Sequence, residues 1–136
     1  MHPVQVFAAQ LRAASAVTAL VGAGDACRIY PLELPLGTAF PAIVIDYEDD
    51  APIPVLDAQA SYGIRQADVS LMLIAKTAPE LQALSSACEQ ACNYQRGSIG
   101  GVNVVSIAPG SSTKAAQDSR LELWFLTLSF PLTYRR

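Results

Sequence analysis

The sequence predicts an α+β fold: a mainly antiparallel sheet of four to five strands with two helices packed on one face, in the order α-β-β-β-α-β-β. Three observations predict it. Apolar residues recur at helical spacing in two segments, near the N-terminus and after residue 77. Side chains alternate between two faces along "AIVIDYED" and "IRQADVSLMLIAKT". The strands come in consecutive pairs rather than alternating with helices, which favours antiparallel pairing. At 136 residues the chain has the size of one domain, spanning 1–136, with a core that needs no disulfide or metal staple.

The first helix is expected from Pro3, a residue tolerated in a first turn, with Val4, Phe7, Leu11, Val17, Leu20 and Val21 inward and Gly22 and Gly24 as the stop. Its outer face is Ala8, Ala9, Ala13, Ala16 and Ala19, with Arg12 the only charge between Val4 and Gly24. Such a smooth helix can pack on both sides. A short strand at "CRIY" and an extended proline-bearing connection follow.

In the next strand Ile43, Ile45 and Tyr47 point one way and Val44, Asp46 and Glu48 the other. Beyond it "APIPVLDAQASYG" has neither period, and Pro52 and Pro54 favour an extended chain. A long strand from Ile64 carries Ala67, Val69, Leu71, Leu73 and Ala75 on one face. The second helix is "APELQALSSACEQACN", with Pro79 and Glu80 in its first turn. Two strands, "SIGGVNVVSI" and "RLELWFLTLSFPLTY", close the chain, joined by a polar connection over 108–119. The last is apolar on both faces, so it is central in the sheet or covered by a neighbour.

Composition restricts function. Charged residues make up 15% of the chain, below the usual share of about 25%. Either Ala, Ser, Thr and Gln fill the surface, or other subunits cover part of it. A net charge of -3 with nine scattered basic residues argues against gripping nucleic acid by its phosphates. No apolar run has the length of a membrane span, and Arg12 interrupts what would be a signal-peptide core. Three cysteines leave at least one outside any disulfide, and a reduced intracellular setting is the simpler expectation.

Catalytic and cofactor readings fail on the residues available. The single histidine is His2, so a Ser-His-Asp or Cys-His arrangement would depend on a terminal residue. Cys27, Cys88 and Cys92 lack paired zinc-ligand spacing and are expected as small core residues. "GAGDA" follows a helix rather than a strand, and "GSSTK" lacks the Gly-Lys-Ser/Thr order of a phosphate loop. The expectation is a protein that is not an enzyme and that holds no cofactor or metal. Asp46, Glu48 and Asp50 alternate along one strand about 7 Å apart. They suit a solvated face, ion binding or an acidic contact surface; no lysine or histidine on that strand supports a metal nuclease. Ile53, Val55 and Leu56 fit either a lid over the domain's own core or an arm toward a neighbour.

End to end, the sequence resembles the tail completion or tail terminator proteins of long-tailed bacteriophages, prophages and gene transfer agents. The resemblance is carried by "LVGAGDACRIYPLELPLGTAFPAIVI", by "DYEDDAPIPVLDAQASYGIRQADVSLMLIAKTAPELQALSSACEQA" and by "DSRLELWFLTLSFPLTY", with Leu56, Gly63 and Arg120 at family-like places but different residues between them. It implies a structural protein of the virion neck, assembled in the host cytoplasm. Six copies would form a ring on the head-proximal end of the tail tube, stop tube growth and meet the head completion or connector protein. DNA would pass through the ring without sequence-specific binding, and no membrane would be involved. On this reading Asp50, Pro52, Ile53, Pro54, Val55, Leu56, Ser111, Ser112 and Lys114 contact a neighbouring subunit or the tube, and Asp46, Glu48 and Asp49 line an acidic lumen or surface. The alternatives are another neck or tail structural protein, or a small oligomeric ligand-binding domain with its pocket on the sheet.

Overall fold

The computed structural model describes residues 2–22, 27–33, 40–52, 64–113, 115–120 and 122–135, with residues 2 and 49–52 described by backbone only. Among them the elements are α1 (His2–Ala13), α2 (Ser15–Val21), β1 (Ile29–Pro31), β2 (Ala42–Pro52), β3 (Ile64–Ala75), α3 (Ala78–Cys92), β4 (Gly97–Ile99), β5 (Val102–Ile107), β6 (Ser111–Ser112), β7 (Ala116–Asp118) and β8 (Leu123–Arg135). The α+β class is as predicted. The described residues hold three helices rather than two and eight strands rather than four to five.

The expected first helix is broken. Ala14 takes an extended conformation (φ -87, ψ 113), and α1 and α2 meet at a bend of 91°. The apolar spacing explains it: Val4, Phe7 and Leu11 share one stripe, but the next buried residue, Val17, falls off that period. Bending returns Val17 and Val21 to the core that a straight helix would carry them past. Neither helix is long and apolar enough by itself to cross a membrane. Helix α3 has proline in its first turn as expected, and Thr77 caps it: the Glu80 N–H donates to Thr77 Oγ1 at 3.3 Å.

The main sheet order is β1-β2-β3-β8-β5-β4. All pairings are antiparallel except β1 with β2, where Ile29 stands beside Ile43 in a parallel register. Arg28 ties this edge to the helices, donating through Nε to the Pro41 carbonyl (2.8 Å) and through its guanidinium to the Leu20 carbonyl (3.1 Å). Strand β8 is central, one of the two options its apolar faces allow. Its residues from Trp124 to Arg135 pair with β3, and β5, β6 and β7 pair with it in succession along the opposite edge.

Two connections differ from expectation. "SIGGVNVVSI" is a hairpin, because Gly100 (φ 59) and Gly101 (φ 80) make the two-residue turn that reverses the chain between Ile99 and Val102. The connection over 108–119 contains two short strands: Ser111 and Ser112 pair with Ser129 and Leu128, and Ala116 to Asp118 pair with Phe125 to Leu123. Backbone hydrogen bonds hold it, so the lack of large apolar side chains is no obstacle. Between β7 and β8, Arg120 N–H donates to Asp118 Oδ1 (2.9 Å) and Glu122 has φ 57.

One core joins the helices to one face of the sheet. Val6, Phe7, Leu11, Val17, Val21, Leu81, Leu84 and Cys88 pack with Ile43, Ile45, Val69, Leu71, Leu73, Leu128, Phe130, Leu132 and Tyr134. Ala42, Val44 and Ile74 are also buried but lie outside this cluster, on the opposite face. Helix α1 touches β1 and β2 at one end of the sheet order and β4 and β5 at the other, so the sheet curls around it.

Gly110 sits where a Cβ would collide with the Ser129 carbonyl oxygen and stand 3.1 Å from Phe130 Cα. Gly110→Ala is therefore expected to cost about 3 kcal/mol or more by forcing β6 off β8. Gly101→Ala, where only Gln5 Nε2 lies near at 3.8 Å, should cost about 1 kcal/mol from backbone strain. Urea denaturation of both variants measures the difference; equal losses would contradict the tight β6–β8 contact.

Candidate functional site

The outer face of the sheet carries the features that the core does not explain. Registers across β2, β3 and β8 place Val44, Met72 and Thr127 in one row, Asp46, Ser70 and Ser129 in the next, and Glu48, Asp68 and Pro131 in the third. The surface thus grades from apolar to acidic. Met72 is 42% exposed, and Asp46, Glu48 and Asp68 are all exposed. Glu48 and Asp68 are directly opposed, a separation of about 5 Å between Cβ atoms in such pairs, where like charges repel.

Of the residues singled out from sequence, the structure brings Asp46 and Glu48 to this face as expected. Asp49 and Asp50 lie in β2, and the register shift between Glu48 and Ala51 interrupts the alternation that was expected to put Asp50 in the same row. Asp50 and Pro52 therefore belong to strand backbone rather than to an arm, with Pro52 opposite Arg65. Ile53, Pro54, Val55, Leu56 and Lys114 lie outside the described residues. Ser111 and Ser112 are exposed but pinned in β6. Sequence reasoning missed Asp68, which joins the acids only through the β2–β3 register. The signal was its outward position between Ala67 and Val69.

A second surface lies on the helix side. A groove of about 530 Å³ runs over α1, lined by Val4, Gln5, Ala8, Ala9 and Arg12 and bordered by Pro31 and Gly100. It exists because the β4–β5 turn comes so near α1. A Cβ on Gly100 would stand 3.0 Å from both Ala9 Cβ and the Gln5 carbonyl oxygen, and the Gln5 side chain donates to the Gly100 carbonyl. The exposed Arg12 occupies the last turn of α1, where a cation complements the helix dipole.

The thiols are structural. Cys88 and Cys92 are fully buried one helical turn apart in α3, and Cys27 is half-buried; all three are free. Burial pushes the Cys92 thiol up to about 12. Cys88 is raised as well, by burial first and then by the neighbouring Cys92 and Glu89. Among the described residues no three His, Cys, Asp or Glu side chains are grouped so as to hold a metal ion.

A curled, mainly antiparallel sheet over three helices, with an acidic-apolar outer face and a small-residue groove, defines a small α+β domain. The family model for "Tail completion protein gp17" matches residues 5–130, and the chain belongs to this family, which makes it a structural protein of the virion tail. No curated protein matches the sequence. Among solved structures, a chain of the "Virion of native gene transfer agent (GTA) particle" matches with a TM-score of 0.71 and 19% identity, over 98% of this chain and 94% of that one. That likeness establishes the shared fold.

Since the folded thiol pKa values are raised, burial of these thiols contributes stability that is fully present below 9.0, the unfolded value, and is lost as pH rises toward about 12. Unfolding titrations should show this decline, and Cys88→Ala with Cys92→Ala should flatten it. With a thiol reagent at pH 8, Cys27 should label well before Cys88 and Cys92, which should react only in denaturant. Fast native labelling of either helix cysteine would contradict their core role.

Proposed function

We propose that the chain ends the growth of the tail tube, as a ring of copies at its head-proximal end, and presents the surface to which the head completion or connector protein joins. The observation that carries this reading is the family match over 5–130, because tail completion defines the step of assembly at which such a protein acts. The GTA virion chain supports it further, since the shared fold covers 98% of this chain and 94% of that one.

The physical reading agrees. Low charge, a smooth α1 stripe and an outer sheet face with an exposed Met suit a subunit covered by neighbours on two sides. Head-to-tail contacts of this kind close into rings when the rotation permits, and six copies is the proposed number. The net charge of -3 suits a channel that DNA crosses without being gripped. Asp46 and Glu48, with Asp68, give such a subunit an acidic surface on the outer sheet face. Segments 50–62 and 108–119 are proposed to meet the tube or a neighbouring subunit.

Electron microscopy of particles made with this reading frame disrupted, and then complemented, tests the role. Unjoined heads beside free or over-long tails, restored by complementation, are expected. Normal joined particles would contradict it and point to a different position in the tail.

A further inference from the structure

We infer that the α1 groove of one copy receives the Met72-centred outer sheet face of the next, so that these two opposed surfaces are the two halves of one head-to-tail contact. The inference rests on the self-association proposed above and goes beyond it by naming both surfaces.

Three observations carry it. The first is charge complementarity: the outer face presents Asp46, Glu48 and Asp68 beside Met72, while Arg12 is the charged side chain among the described residues lining the groove. The second is the direct opposition of Glu48 and Asp68, which costs the isolated chain and is relieved when a guanidinium from outside approaches them. The third is shape and position. The groove is concave and apolar along Val4, Ala8 and Ala9, and Met72 is an exposed, flexible side chain suited to filling such a site. Because α1 packs on the core face and Met72 is on the outer face, one chain cannot satisfy its own groove.

A second copy is the occupant this arrangement selects. Two outer faces meeting symmetrically around Met72 would set carboxylates against carboxylates. Groove to sheet face instead pairs opposite charges and leaves the pair with one free groove and one free sheet face, so the contact propagates until it closes.

The test is disulfide crosslinking of purified chain in a Cys27→Ser background with Ala8→Cys and Met72→Cys combined, against each single variant. Under mild oxidation the double variant should give a ladder of species beyond the dimer, whereas each single variant can reach dimer at most. A second measurement avoids the groove's packing: Arg12→Glu should weaken association about tenfold in sedimentation, and Arg12→Glu with Asp68→Arg should recover most of the loss. No ladder, with rings still visible by microscopy, would overturn the inference and leave the ring standing. A chain monomeric at all concentrations would overturn both. A swap that fails to restore association would overturn the charge pairing, and with it the inference.

Discussion

The two-sided pairing of β8 is the constraint on which the rest of the molecule depends. One edge meets β3 along twelve consecutive residue pairs, from Ile64 with Arg135 to Ala75 with Trp124. The other meets β5, β6 and β7 in turn. A strand bonded on both edges fixes the register of its neighbours, and a register slip of one residue would exchange the core face for the outer face throughout. The helices sit where they do because Leu128, Phe130, Leu132 and Tyr134 then face inward beside Val69, Leu71 and Leu73. Phe7 reaches across to stack on Phe130, their rings 5.7 Å apart.

The same alternation that builds the core builds the outer face. Each inward residue of β2 and β3 obliges its neighbours to point outward, so Val44, Asp46 and Glu48 line up against Met72, Ser70 and Asp68 without any element devoted to them. Burial of Ala42, Val44 and Ile74 on that face, beside exposed Met72, gives it an apolar end that is already partly covered. The proposed head-to-tail contact uses this face and the groove over α1, two unlike surfaces on opposite sides of one sheet.

Much of this was legible in the sequence where side chains carry the signal. The alternation in 42–48 and 64–75, and helical spacing after Pro79 and Glu80, pointed to two strands and a helix, because period and first-turn preference act locally. The bend at Ala14 was written in the slip between Leu11 and Val17, which a continuous helical reading passes over. Gly100 and Gly101 were a turn signal inside an apparently single strand. Segments β6 and β7 were not legible, since Ser111, Ser112, Ala116 and Gln117 are held by backbone bonds to β8 and leave no pattern in their side chains. The candidate site divided the same way: Asp46 and Glu48 could be read as outward-facing, but Asp68 joins them only through a register between strands separated by a long connection.

The central claim, that the outer sheet face is a surface for assembly, is open to a direct reading because the chain has two methionines and Met72 stands on that face with 42% of its surface exposed. Mild peroxide oxidation of the free chain and of assembled particles, followed by mass spectrometry of the peptide around Met72, compares its accessibility in the two states. The account predicts ready oxidation in the free chain, if it is kept dilute enough to stay monomeric, and strong protection in the particle. Equal oxidation of Met72 in both would contradict it.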